Sequence, residues 1–266
     1  MMENKVVTKK VLERAGISVP GGYEYTSPEA GMADYRLYAG KPVVIKPKST
    51  NFGLGITILK HNYDETDFKA ALQIAFEHDN TVLIEKFIPG REFRIFIIND
   101  EVVGILHRVP ANVTGDGVLN IGQLIDRKNE DPLRGKGYRT PLEKIRKGRE
   151  EEMFLKQQGM DFNTVPKERE VVYLRENSNI STGGDSIDFT DDIDDSYKAI
   201  AVEAAKALNV KITGLDMMIQ DIHAPATPDN YAIIEMNFNP AIHIHCYPFK
   251  GKNRHLNHKM IKALGF

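Results

Sequence analysis

The chain has 266 residues, 41% hydrophobic and 27% charged, a length that suits one large domain or two smaller ones. With 35 Lys and Arg against 37 Asp and Glu, the net charge of −2 offers no global case for nucleic acid or an anionic membrane. A single cysteine, Cys246, leaves no intramolecular disulfide, no apolar run nears the roughly 20 residues of a membrane span, and MMENKVVTKK lacks the apolar core of a secretory signal, so a cytoplasmic location is expected.

Residues 4–15 place apolar side chains at 7, 11, 12 and 15, a helical stripe that Gly16 ends. A short strand follows, then a helix opening at Ser27-Pro28 and reaching Gly40. PVVIKPK (42–48) is a strand, STNFGLG (49–55) a glycine loop, and ITILK a returning strand. Residues 64–78 carry apolar 68, 71, 72, 75 and 76 and form a helix with Asp64 or Thr66 as N-cap. TVLIEKFI and EFRIFIINDEVVGILHRV read as three strands, the last two joined near Asn99-Asp100. Residues 112–168 are polar and rich in Gly, Lys and Glu; the loosest structure is expected there, with one helix near 149–158. VVYLRE is a strand, 195–209 a helix, KITGLDMMIQD and YAIIEMNF strands, and 254–264 a closing helix. Several strands are linked by hairpin-length turns, which argues for α+β lobes and against a doubly wound parallel sheet.

The stretch AIIEMNFNP (232–240) runs from apolar residues into Glu235, Asn237 and Asn239. A symmetric hairpin centred between Pro225 and Ala226 sets Asp216 opposite Glu235, with Asn237 on the same face. Facing like charges are destabilising, and three converging oxygen donors suit a hard divalent cation such as Mg²⁺. A pair of polar strand ends in water is the plainer alternative. A cation held by so few side chains normally shares its sphere with phosphate. Lys46 inside VVIKPK would need an anion if buried, and Gly53 and Gly55 allow backbone amides to approach a phosphate closely. Neither a P-loop nor a dinucleotide fingerprint is present. Glu85 and Glu92 flank a Pro-Gly turn in LIEKFIPGREFRIF, where carboxylates could accept from an adenine amino group and ribose hydroxyls.

These stretches together resemble the ATP-grasp carboxylate–amine ligases. N-K-x-x-T-K (4–9) is similar to the family's opening lysine helix and VVIKP to its lysine strand. STNFGLG is similar to its phosphate lid, E-K-F-I-x-G-x-E (85–92) to its adenine and ribose hinge, and L-D…I-E-M-N to its metal site. They occur in family order across nearly the whole chain. Further, RENSNISTGGDSIDFTDD resembles the loop of cyanophycin synthetases and of bifunctional γ-glutamylcysteine ligase/glutathione synthetases, and HRVPANVTGDG and EMNFNPAIHIHCYP point to the C-terminal portion of the latter.

The resemblance implies an ATP-grasp fold: two α+β lobes clasping ATP between antiparallel sheets, an N-terminal lobe over 1–88 and a C-terminal lobe over 89–266. It implies an ATP-dependent ligase acting through an acyl phosphate, with γ-glutamylcysteine and glycine as substrates, ATP and Mg²⁺ (or Mn²⁺) as cofactors, and an upstream glutamate–cysteine ligase region and a homodimer as partners. Lys5 and Lys46 would contact phosphates, Ser49, Gly53 and Gly55 would form the lid, Glu85 and the Lys86–Ile88 backbone would receive adenine, and Glu92 the ribose. Asp216, Glu235 and Asn237 would hold the metal. Arg108, Arg175 and the loop Asn179–Gly184, with Ser181, Thr182 and Gly183 in it, would face the acyl phosphate and peptide substrate. D-Alanine–D-alanine ligases carry an arginine two positions before the metal aspartate; here that residue is Gly214, so Arg108 or Arg175 must supply the charge. The glycine lid and 112–168 would keep water out. A cyanophycin-type ligase and an ATP-binding module with little turnover are the rival readings. HIHCYP would place His243 and His245 on one face, without a second cluster to complete a zinc site, and EKIRKGREEE reads as a solvated helix.

Overall fold

The computed structural model describes residue 2 and residues 4–50, 54–60 and 62–266. The chain divides into two compact units. Unit 1 comprises Met1–Arg91, Ile95–Val102 and Ile193–Pro240; unit 2 comprises Glu92–Arg94, Val103–Asp192 and Ala241–Phe266. Unit 1 thus contains all of 1–88 and, in addition, a later segment that carries the acidic hairpin.

In unit 1 the helix Lys5–Arg14 opens at Asn4, whose side chain accepts from the Val6 and Val7 amides, and closes ahead of Gly16 at φ 76°. Lys5 and Lys9 are four residues apart, so both project from one helix face. The antiparallel sheet that follows takes the order Gly22–Tyr25, Val82–Lys86, Val43–Pro47, Thr57–Leu59. Glu65–Phe76 covers it, N-capped by Asp64 with Asp67 completing a reciprocal capping box. Phe68, Ala71, Leu72 and Ala75 meet Val43, Ile45, Val82 and Ile84 in one core, and the buried rings of Tyr25 and Tyr38 join it. Phe68 is fully buried, a placement worth roughly 1.5–3 kcal/mol. The helix expected to run to Gly40 is instead two, Pro28–Ala33 and Tyr35–Tyr38, broken at Asp34, whose carboxylate accepts from Tyr25 Oη at 2.9 Å. Later in the chain, Ile212–Ile219 and Tyr231–Asn237 form an antiparallel hairpin on which the opening helix and Asp195–Ala207 pack.

In unit 2, residues 106–109 of the strand Glu101–Val109 pair with Asp185–Asp188, and Asn112–Thr114 pairs with Val171–Tyr173. Arg134–Gly135 and Leu142–Glu143 make a short parallel pair. The segment 112–168 departs from expectation: it is organised around its own core. Asn120 and Gln123 cap a helix, Ile121–Lys128, that the sequence reading missed. Its Ile121, Leu124 and Ile125 pack with Val113, Ile145, Leu155, Val172 and Leu174. Polar composition concealed this core because each contribution is one to three apolar residues long. The helix Arg149–Gln157 is present, but it is not wholly solvated: Glu151 is buried, accepting from the Gly148 amide at 3.0 Å and from Arg175 Nε at 2.6 Å. HIHC forms one helical turn, His243–Cys246, so its histidines do not share a face; His243 is exposed and His245 buried. Among the described residues no group of three or more His, Cys, Asp and Glu could hold a metal, and no helix is long and apolar enough to cross a membrane.

Candidate active site

Two constellations gather the candidate residues, one in each unit. In unit 1, Glu85 sits at the last buried position of its strand with Gly22 and Val44 as register partners. A Cβ on Gly22 would lie 2.3 Å from the Ile84 carbonyl, so only glycine admits the neighbouring strand this closely. Glu85 Oε1 accepts from Lys9 Nζ, and Glu85 Oε2 lies 2.9 Å from Lys46 Nζ. The anion that Lys46 requires in its apolar strand is therefore Glu85. Burial acts to raise the Glu85 pKa, but Lys46 and Lys9 outweigh it and hold the carboxyl below its ordinary value. Burial and the charge of Lys46 bring Lys9 down to about 8, against the pull of Glu85. Lys9 was the residue that sequence reading passed over, although its spacing from Lys5 was visible in N-K-x-x-T-K.

The acidic hairpin has the expected register at its end: Asp216 pairs with Glu235 and Gly214 with Asn237. Beyond this point the register shifts, Met217 pairing with Ile233, so that Ile234 is an extra residue on its strand. The bulge leaves both Ile234 and Glu235 half-buried, while Asp216 is only 2% exposed. Asn237 Nδ2 is 3.4 Å from Asp216 Oδ2, and Lys5 Nζ is 3.6 Å from Glu235 Oε1. Lys5 also donates to the Thr50 carbonyl at 2.9 Å. Two carboxylates in facing register with a carboxamide beside them form a hard oxygen donor set that fits Mg²⁺; a flip of the Asn237 amide presents its oxygen in place of its nitrogen.

The expected lid positions have mixed standing. Gly53 lies outside the described residues. Ser49 donates its amide to Asp79 Oδ2 at 2.7 Å. Gly55 adopts φ 73°, and a Cβ there would sit 2.7 Å from both Pro47 and His78. At the hinge the Lys86 amide is taken by the Gly21 carbonyl at 2.8 Å and the Phe87 amide by Pro42 at 3.0 Å, while Ile88 lies past the strand end.

In unit 2, Glu92 pairs with the Arg108 guanidinium and accepts from Ser178 Oγ at 2.5 Å. Arg108 therefore stands with the expected ribose acceptor. Arg175 does not join it; its partners are Glu150 and the buried Glu151. The loop between Ser178 and Asp185 is a single 3₁₀ turn, Ile180–Thr182, closed by Gly183 at φ 95°. Thr182 Oγ1 bonds Asn177 Oδ1 at 3.0 Å and the Asn179 carbonyl at 2.9 Å. A Cβ on Gly183 would come within 2.8 Å of Ile145 Cα, and one on Gly184 within 2.8 Å of the Asn179 and Val109 carbonyls. Ser181 is half-buried on this turn. Both glycines of STGG are thus required by space, and Gly183 by dihedral as well.

A family described as "D-ala D-ala ligase C-terminus" matches residues 24–120. The structure superimposes on a D-alanine–D-alanine ligase from Bacillus anthracis with a TM-score of 0.52 at 20% identity, covering 90% of this chain and 57% of that one, a likeness of fold. The fold is the ATP-grasp fold. The chain is 62% identical over 265 residues to the glutathione biosynthesis bifunctional protein GshAB of Desulfotalea psychrophila, covering 100% of this chain and 34% of the relative. To the GshAB protein of Clostridium perfringens it is 55% identical, with 99% and 34% covered. A crystal structure of a bifunctional glutathione synthetase from Pasteurella multocida matches with a TM-score of 0.74 and 49% identity, covering 99% of this chain and 36% of that one. The chain spans about a third of the length of the curated relatives it matches.

Proposed function

We propose that this chain joins the cysteinyl carboxylate of γ-glutamylcysteine to the amine of glycine, using ATP and releasing ADP, phosphate and glutathione. The observation that carries the reading is the Asp216–Glu235 register with Asn237 beside it, in a chain homologous over its whole length to part of proteins named for glutathione biosynthesis. Residues 1–88 are assigned the lysine helix, the lysine strand and the glycine lid, and 89–266 the metal and substrate site.

Asp216, Glu235 and Asn237 would hold Mg²⁺, with Mn²⁺ able to replace it; the ion would supply charge neutralisation at the β- and γ-phosphates. Lys5 and Lys46 add fixed positive charge for the same phosphates, which is the main demand of phosphoryl transfer. Glu85 and the 86–88 backbone receive the adenine amino group, and Glu92 the ribose, while Ser49, Gly53 and Gly55 cover the phosphates. A carboxylate oxygen of the acid attacks the γ-phosphorus, the bond to the β-phosphate oxygen breaks, and an acyl phosphate and ADP result. The amine then attacks the acyl carbon, loses a proton, and phosphate departs with the former carboxylate oxygen. Arg108 provides charge at the acyl phosphate; Arg175, held by Glu150 and Glu151, acts at longer range. Asn179, Ser181, Thr182, Gly183 and Gly184 receive the peptide, and exclusion of water protects the intermediate. An upstream glutamate–cysteine ligase region would supply the dipeptide.

The test is ADP release with Mg²⁺·ATP across acids and amines. Release that requires both γ-glutamylcysteine and glycine supports the reading. Release with an aspartate polymer in their place moves the chain to cyanophycin-type chemistry, and nucleotide binding without release for any pair overturns the ligase assignment.

A further inference from the structure

Unit 2 contains a buried charge cluster directly behind the STGG turn. The Arg134 side chain is wholly buried. Its Nη1 donates to two backbone carbonyls, Glu143 at 2.8 Å and Gly183 at 3.0 Å, and its Nη2 bonds Asp185 Oδ1. The second Asp185 oxygen accepts from Lys128 Nζ at 2.7 Å and from Asn112 Nδ2 at 3.0 Å. Lys128 spends its other donors on Asn112, at the carbonyl (2.9 Å) and at Oδ1 (3.0 Å). The Phe249 ring lies over both cations, at 5.2 Å from Lys128 Nζ and 5.5 Å from Arg134. Burying two cations against one carboxylate is costly, and a core of apolar residues would be cheaper. What the arrangement achieves is directional. A planar guanidinium anchored by Asp185 fixes one carbonyl of the turn, that of Gly183, against one carbonyl of the parallel pair, that of Glu143.

We propose that Arg134 is a positioning residue for the acid substrate: it orients the Asn179–Gly184 turn through the Gly183 carbonyl, with Asp185 aiming the guanidinium. This rests on the turn's role in receiving the peptide. Lys128 braces Asp185 without touching the turn, so its influence is weaker.

The test compares Arg134→Lys, Arg134→Met and Lys128→Met in the full chain. Arg134→Lys retains the charge but has no planar fork, so one nitrogen cannot span Glu143 and Gly183 while a second is anchored on Asp185. We expect it to raise KM for γ-glutamylcysteine about tenfold, with KM for ATP within about twofold of wild type, and Lys128→Met to have the smaller effect. Hydrogen exchange gives a readout independent of turnover. In Arg134→Lys the amides of Thr182, Gly183 and Gly184, which bond Asn179 and Ile180 carbonyls at 3.1–3.2 Å, should exchange faster, while Asp188 and Phe189 amides keep their protection. Faster exchange confined to the turn supports the proposal even if wild type proves inactive with this acid, an outcome that would count against the function alone. Equal rises in both KM values, or a folded Arg134→Lys with unchanged turn exchange, would overturn it. If Arg134→Met does not fold, Arg134→Lys alone decides.

Discussion

Two buried carboxylates in this chain each lie between two cations, and the difference between them is instructive. Glu85 of unit 1 is held by Lys9 and Lys46, side chain to side chain. Asp185 of unit 2 is held by Lys128 and Arg134, whose remaining bonds end on the backbone carbonyls of Asn112, Glu143 and Gly183, with one more on Asn112 Oδ1. Bonds among flexible side chains can be exchanged for bonds to an incoming anion. Bonds that end on backbone cannot move without moving the chain. The first cluster is suited to binding a ligand and the second to holding a loop still.

Several outcomes would break or sharpen this contrast. The largest effect is expected outside both clusters, at the acidic hairpin: Glu235→Gln should lower ADP release on the order of 10³-fold with little change in thermal midpoint, checked by a coupled assay and calorimetry. Lys46→Met should follow, at about 10²-fold, with KM for ATP raised. Removing either central carboxylate should cost about 3–5 kcal/mol, because two cations are left buried without their partner. Here the clusters should part company. Saturating ATP should restore a portion of the loss in Glu85→Gln, since the freed lysines gain phosphate, but none beyond the wild-type ligand shift in Asp185→Asn; thermal melts with and without ATP report this. Gly183→Ala should destabilise by about 2 kcal/mol, from the positive φ and the contact with Ile145, as read from urea midpoints.

The last effect concerns pH. Burial, followed by the charge of Arg94, lowers His245 to about 3, well below its ordinary 6.5. The folded state therefore binds this proton less readily than the unfolded chain. Its contribution to stability is complete above about pH 6.5 and is lost as pH falls from there towards 3, with a slope on the order of 1 kcal/mol per pH unit. His245→Asn should flatten the urea-midpoint profile in that window; an unchanged profile would assign the slope to other groups.

The same contrast explains what could be read without coordinates. The Asp216–Glu235 facing followed from strand alternation and a hairpin centre, both local. The need of Lys46 for an anion followed from its apolar neighbours, and Glu85 lay on the adjacent strand. Lys9 was missed only because its helix face was not projected onto that sheet. The bulge at Ile234 gave no signal, since it arises from the strand pairing. In unit 2 the relevant distances along the chain are long: Arg134 to Asp185, Lys128 to Asp185, Arg175 to Glu151. Nothing in the text of 112–168 pairs a lysine with one aspartate among many, and its core is assembled from short apolar pieces whose periodicity is lost between turns. The loop STGG was legible as a motif, but the reason for both glycines lay in Ile145 and Val109, remote in sequence.

The central claim is that the acid is activated by taking the γ-phosphoryl group onto its own carboxylate oxygen. It is tested most directly by supplying γ-glutamylcysteine labelled with ¹⁸O in the cysteinyl carboxyl group, together with glycine, ATP and Mg²⁺, and weighing the inorganic phosphate released. One ¹⁸O atom in that phosphate, with ADP as the only nucleotide product, is the result expected. Unlabelled phosphate, or AMP and pyrophosphate in place of ADP, would contradict the account.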